Sequence, residues 1–454
     1  MRRGKGQPLG VLLYRRGASV NFARIRSMVL LMRGSHPRCG HRAPLTYGLC
    51  LTVLLLACRP RASDRSVGDP SASGLDSAQV VKMAHGLVDV MAQFRGLQGS
   101  QPLTVETMSG DEVKRRAERA IRAAHSQDEL DRTRRIEVSL GFRPGGRSVD
   151  GPAGSVSVAV GGMYDHISKA LWIDATGEAE QLEWMVAHEV VHYLQDSNFD
   201  LGRLTAPIPG DSDAELARNF LVEGDAQAAC FAWETKDRTL RSTSPETLRD
   251  QGDQVLDSEG VFDYPVIGCI NMLPYNYAAS TVVQTVRERG WASVDELFRD
   301  PPSTSEQMLH PEKMLIQEKS IPISVNTTML QTALPGALVV RQDTLGEAKI
   351  FCMLAAVVSS AQARAAAAGW GGDRILVLET DQPDSAPVVI GLIAWDELSE
   401  AAEFEPVFRQ YLETTSRGRY AMQRRDSRVV FVLQLPSASA KRLSEAAWAM
   451  FHVE

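Results

Sequence analysis

Aspartate and glutamate are missing from the first 57 positions, which hold ten of the 49 Lys and Arg residues. The remainder of the 454-residue chain therefore carries 39 basic against 56 acidic side chains, although the whole sums to only -7. A surface of that sign repels phosphate backbones, which excludes nucleic acid as a partner, and it is a poor match for anionic headgroups. Long hydrophobic runs are missing too: Leu49 to Ala57 falls far below the ~20 apolar residues of a membrane-spanning helix. Cysteine is scarce, with six in all. Cys39, Cys50 and Cys58 lie in or at the end of the basic segment, so Cys230, Cys269 and Cys352 remain for the folded part. Three cannot all pair within one chain, and a Cys230–Cys269 disulfide and three buried thiols stand as alternatives. Gly369-Trp370-Gly371-Gly372-Asp373-Arg374 lacks the lysine and the strand–loop–helix order of a phosphate loop. It reads instead as a tight turn between an alanine-rich helix and a strand. No internal repeat is evident.

Arginines at Arg33, Arg38 and Arg42 precede the short apolar run, the pattern of an export signal. The long basic stretch Arg2 to Arg26 points to Met28 or Met32 as an alternative start. The run ends in Leu55-Leu56-Ala57-Cys58, which resembles the bacterial lipobox. That resemblance implies a signal segment over 1–57, a lipid on Cys58, and attachment to a membrane through that lipid in the bacterial cell envelope, at the periplasmic face or the outer membrane. Arg59 after the cysteine, rather than Asp, would by resemblance to other lipoproteins allow outer-membrane sorting. The competing reading is a cleaved secretory signal with an incidental cysteine. Residues 58–76, rich in Ser, Pro, Gly and charge, read as a flexible tether.

Folding is expected to begin near Asp76. Periodicity predicts helices over 77–97, 110–124, 178–195, 211–234 and 278–288. Alternation predicts a hairpin from Val156, Val158 and Val160, turning near Asp165 into Ala170 to Ile173. After His310 the character changes. Val339-Val340, Ile350 to Val358, Arg374 to Leu378 and Val429 to Leu435 suggest an α/β module, with Trp395-Asp396 and Ala401 to Phe404 suiting a helix start and core. A boundary is placed near residue 325.

The chemistry-bearing constellation is His188-Glu189-Val190-Val191-His192, an H-E-x-x-H pattern. Spacing i, i+4 on a helix sets two imidazoles side by side toward one ion, with the intervening glutamate placed to deprotonate an ion-bound water. On a helical wheel His192 falls about 40° from His188, with Gln181 and Gln195 within about 20° of it, while Leu182, Val186, Val190 and Leu194 lie opposite. The helix is thus expected to bury one face and present the histidines on the other. The bland alternative is a surface helix with two solvated histidines. A hydrolytic zinc site needs a third protein ligand, for which Glu215, Glu223 and Asp225 are candidates. Glu223 lies within the inward stripe of Leu216, Phe220, Gln227, Cys230 and Phe231, about 20° from Leu216, whereas Asp225 lies about 180° from Leu216. A carboxylate on an inward stripe needs a partner, either a cation or an Arg or backbone amide.

The order hairpin, HEVVH helix, then a helix bearing Leu221-Val222-Glu223-Gly224-Asp225-Ala226 resembles the gluzincin metallopeptidases, which include the thermolysin-like enzymes. The similarity covers roughly 156–234. It implies a mainly helical zincin-like metallopeptidase domain with a β-hairpin and small sheet over 77–325; with the smaller α/β accessory module read from the pattern over 326–454, an α+β fold is expected. It further implies Zn2+ held by His188, His192 and Glu223, Glu189 as catalytic base, and a peptide or protein substrate lying along the hairpin edge. Many gluzincins place Asp four residues after the ligand glutamate to orient a ligating histidine; here that residue is Gln227. Tyr275-Asn276-Tyr277 and the segment Ser303 to Pro311 look like parts of compact bacterial zinc peptidases. Such enzymes supply a Tyr or His to the oxyanion from beyond the third ligand, which makes Tyr275, then His310, the candidates. His166 reads as an exposed turn residue. Against the peptidase stands an inactive peptidase fold kept as an envelope scaffold, and, third, a hydrolase of non-peptide amides. The oligomeric state stays open.

Overall fold

The structure, a computed structural model, describes residues 75–124, 126–144, 161–175, 179–380 and 386–454. The signal segment, Cys58, nearly all of the tether and the expected Val156 to Val160 strand lie outside those residues. Helices and small antiparallel or mixed sheets make up an α+β fold. A helix over Ser77–Arg95 begins with an Asp76–Gln79 capping box and ends at Gly96 in the left-handed region. Strand β1 (Thr104–Met108) follows, then helices Gly110–Ala124 and Gln127–Leu140. Among the described residues the hairpin turns after Asp165 into the expected strand: β2 (Gly162–Asp165) pairs antiparallel with β3 (Ala170–Asp174), and β1 adds parallel to β3. The sheet order β1-β3-β2 leaves β2 at its end among the described residues.

Two long helices form the centre, Ala179–Phe199 and Ser212–Thr235. The first does not present a polar face to water: residues 185–195 are buried all round. Beyond them run helices Pro245–Leu256 and Pro265–Leu273, a π-helical turn over Pro274–Ala278, and helix Ala279–Arg289. Short elements lead to β4 (Ile323–Val325), which pairs with the terminal β10 (Phe451–Val453).

The expected α/β module is a five-stranded antiparallel sheet. Its strands are β5 (Leu338–Asp343), β6 (Trp370–Glu379), β7 (Val388–Trp395), β8 (Tyr420–Arg425) and β9 (Arg428–Leu433), in the order β5-β6-β7-β9-β8. Ile350 to Val358 forms mainly a helix, Gly346–Ala355. Gly369 turns at φ +80°, joining helix Ser360–Ala367 to β6, but the rest of the expected Gly369 to Arg374 turn lies within the strand, which begins at Trp370. The central strands read as continuous apolar runs because both faces are covered. Val389, Ile393, Val429 and Phe431 point into the core shared with the long helices, while Ile390, Leu392, Val430 and Val432 pack against helix Ser437–Ala447. Packing is therefore continuous across the boundary expected near residue 325. Cys269 bonds Cys352 across it, and Cys230 is a buried free thiol, so neither cysteine alternative from the sequence holds. Among the described residues no helix is long and apolar enough to cross a membrane.

The disulfide joins positions 83 apart in sequence. On loop-entropy grounds its reduction should lower the unfolding free energy by about 4 kcal/mol. Urea unfolding with and without reductant measures this, and coincident curves would contradict the pairing.

Candidate metal centre

One helical turn separates His188 from His192, so their ring centroids sit 4.8 Å apart on helix Ala179–Phe199. Glu223, mid-way along Ser212–Thr235, directs Oε2 between them, 3.2 Å from His188 Nε2 and 3.7 Å from His192 Nε2. The three residues offer ligand atoms all within 4.8 Å of one another and could hold a metal ion. None is more than 6% exposed. His192 Nε2 has no hydrogen-bond partner there. Two imidazole nitrogens and one carboxylate oxygen are a donor set that suits a divalent cation.

The charges argue the same way. Burial disfavours a charge on His192, yet the Glu223 carboxylate outweighs it and raises the imidazole to about 9. Burial alone would raise Glu223, but the two imidazoles hold it at about 2. Burial pushes His188 down, with Glu223 opposing. Two imidazoles this close do not both charge, so the cluster keeps one positive charge beside its carboxylate. A metal ion would replace that proton.

A second layer of side chains orients His192. Gln195 Nε2 donates to Val222 O at 2.9 Å and to Asp225 Oδ2 at 2.8 Å, so the amide oxygen is the atom left to face His192 Nδ1 at 2.8 Å. Nδ1–H donates to it, which leaves Nε2 a lone pair for a cation. Asp225 in turn accepts from Arg95 Nε at 2.6 Å, and Arg95 Nη2 lies 2.7 Å from Asp295 and over the Trp291 ring. The carboxylate expected at Gln227 is thus supplied through Gln195 by Asp225. Gln227 Oε1 and His188 Nδ1 both lack partners among the described residues.

Glu189 points toward the hairpin. Its Oε2 accepts from the Tyr164 backbone N–H of β2 at 2.7 Å, while Oε1 has no partner. Burial raises this carboxyl to about 8, against the pull of His192 and the Tyr164 amide. Asp196, two turns further along the same helix, holds the strand in place by accepting from the Tyr164 hydroxyl and Lys169 Nζ, each at 2.7 Å.

The two oxyanion candidates part company. Tyr275 lies in the π turn with its ring centroid 6.1 Å from that of His188. A β-carbon at Gly224, next to the ligand Glu223, would meet the backbone of Ala278 at 3.0 Å, so glycine there permits the turn to lie directly on the helix. His310 instead donates Nε2–H to Glu347 at 2.8 Å and lines a cavity that none of the three ligand residues reaches. His166 is half-buried rather than exposed, and burial lowers its pKa. Gln195 was visible beforehand as an amide flanking the histidines. Arg95, 130 positions from Asp225, carried no such signal.

Residues 336–446 match the family model of a domain of unknown function, DUF8575. That segment holds the five-stranded sheet and none of the residues of the metal centre. No curated protein and no solved structure matches the chain.

Replacing Gln195 by Met removes the acceptor for His192 Nδ1 and should weaken divalent-cation binding by about 10- to 100-fold with helicity unchanged, as read by competitive chelator titration and circular dichroism. Wild-type affinity in that variant would refute the orienting role. Because a divalent cation would displace a proton from His192, its affinity should fall about tenfold per pH unit below about 9. Chelator titrations across neutral pH test the slope, and a flat profile would contradict it.

Proposed function

We propose that the chain is a zinc-dependent metallopeptidase of gluzincin type, anchored in the bacterial cell envelope by a lipid on Cys58. One observation carries the reading: His188 Nε2, His192 Nε2 and Glu223 Oε2 converge, with the unpartnered Glu189 oxygen one residue along the same helix. Zinc, when bound, supplies a Lewis acid that polarises a scissile carbonyl and acidifies water. Glu189, raised by burial to about 8, would be held ionised by a cation at the neighbouring ligands, take the proton of the attacking water and hand it to the leaving amine. The Tyr164 amide holds one of its oxygens, leaving the other for that transfer. Tyr275, the aromatic hydroxyl beside His188, is the better placed donor to the oxyanion. A peptide adds as an extended strand along β2, the end strand of its sheet among the described residues. The Cys269–Cys352 disulfide supports an oxidising compartment, in keeping with export.

A second reading, a peptidase fold retained as an envelope scaffold, is favoured by the near-complete burial of His188, Glu189, His192 and Glu223. A substrate reaches them only after covering groups move. Metal content alone does not separate the readings, but turnover does. Glu189→Gln should keep its zinc and lose about 10²- to 10⁴-fold in the rate of cleaving a generic protein substrate. Cleavage at the wild-type rate would end the peptidase proposal.

A further inference from the structure

A cavity of about 260 Å³ opens between helices Pro245–Leu256 and Gly346–Ala355, with the π turn's Tyr277 in its lining. No residue of the metal centre lines it. Two of its polar groups lack partners. Arg249 donates Nε–H to Ser280 Oγ at 2.9 Å, but its buried Nη2 has no acceptor, and among the described residues no carboxylate pairs with it. Glu347, 1% exposed, accepts from His310 Nε2 with Oε1 while Oε2 has no donor.

The charge balance says what is missing. His310, raised to about 9 by Glu347 and its neighbours against the effect of burial, neutralises Glu347. Arg364 is already paired with Asp253 at 3.1 Å. Arg249 is thus a cation with no direct ion pair, Glu246 and Glu312 acting on it only from beyond contact, and Glu347 Oε2 is the acceptor without a donor. A single water, with a share of liquid volume of about 30 Å³, fills only a fraction of the space. The volume is also below the ~300 Å³ at which drug-sized pockets begin. An occupant must be small, must bring a carboxylate-like anion to a guanidinium, and must bring a donor to a carboxylate.

We propose that this cavity binds a small zwitterion, a free α-amino acid or a dipeptide, with its carboxylate on Arg249 and its ammonium on Glu347. The exposed acids Glu246 and Asp250 at the lining favour the approach of the ammonium end. The site is independent of metal and needs no peptidase activity.

Calorimetric titration of the purified protein with alanine, dialanine, N-acetylalanine and alaninamide tests this at millimolar concentrations. Alanine or dialanine should bind, whichever is the tighter naming the source, and both singly blocked analogues should bind about tenfold or more weakly. Arg249→Gln should abolish the difference between alanine and alaninamide, and Arg249→Lys should weaken alanine about tenfold if the glutamine variant does not fold. His188→Ala should leave alanine binding unchanged. No heat with any of the four compounds, or equal binding of N-acetylalanine and alanine, would overturn the proposal.

Discussion

A carboxylate buried between two imidazoles is the constraint around which the rest of the molecule is arranged. Glu223 is almost out of water, yet it is held ionised, and an isolated carboxylate in such a place would protonate instead. It stays charged because His188 and His192 share a cation's worth of charge with it. Whatever supplies that charge, a proton or a metal ion, must sit within a few ångströms of all three. The next layer follows from the same rule. Asp225 lies inward beside the centre, where the buried Arg95 favours its charge while burial and Asp295, which shares Arg95, oppose it. Gln195, neutral and bifunctional, passes that polarisation to His192 without adding charge.

Rigid placement of the two helices comes from unexpected quarters. The start of Ser212–Thr235 is fixed by the C-terminal half of the chain. Ser212 N–H donates to Asp343 at 2.8 Å, the buried Lys349 ammonium donates to the Ser212 hydroxyl at 2.7 Å, and Asp213 accepts from the Ser305 amide at 3.0 Å. Helix Gly346–Ala355, which carries Lys349, is itself tied to Pro265–Leu273 by the disulfide. The five-stranded sheet therefore braces the glutamate helix rather than hanging from the chain as an appendage.

What could be read from the residues alone was what repeats along one element. The H-E-x-x-H spacing and the placement of Glu223 on an inward stripe depend only on 3.6-residue periodicity, and the structure brings those side chains together. Asp225, about 180° round the same helix, is fully buried as well and reaches Gln195 at 2.8 Å, so the wheel, which set it opposite the inward stripe, could not show it as the group behind Gln195. The shortfalls are long-range. Arg95 finds Asp225 across 130 residues, and Cys269 finds Cys352 across 83; spacing says nothing of either pairing. The π turn escaped because its extra residue breaks the very period that would reveal it. Helices Gln127–Leu140 and Pro245–Leu256 escaped because their exposed faces are strongly charged and their apolar stripes thin.

The account turns on a cation at the three converging ligands. Elemental analysis of the purified protein after zinc loading and exhaustive dialysis measures it directly, with Glu223→Ala alongside as the control. About one zinc per chain is predicted for the native protein, and a loss of most of it in the variant. No retained metal in the native protein, or equal retention in both, would contradict the centre described here.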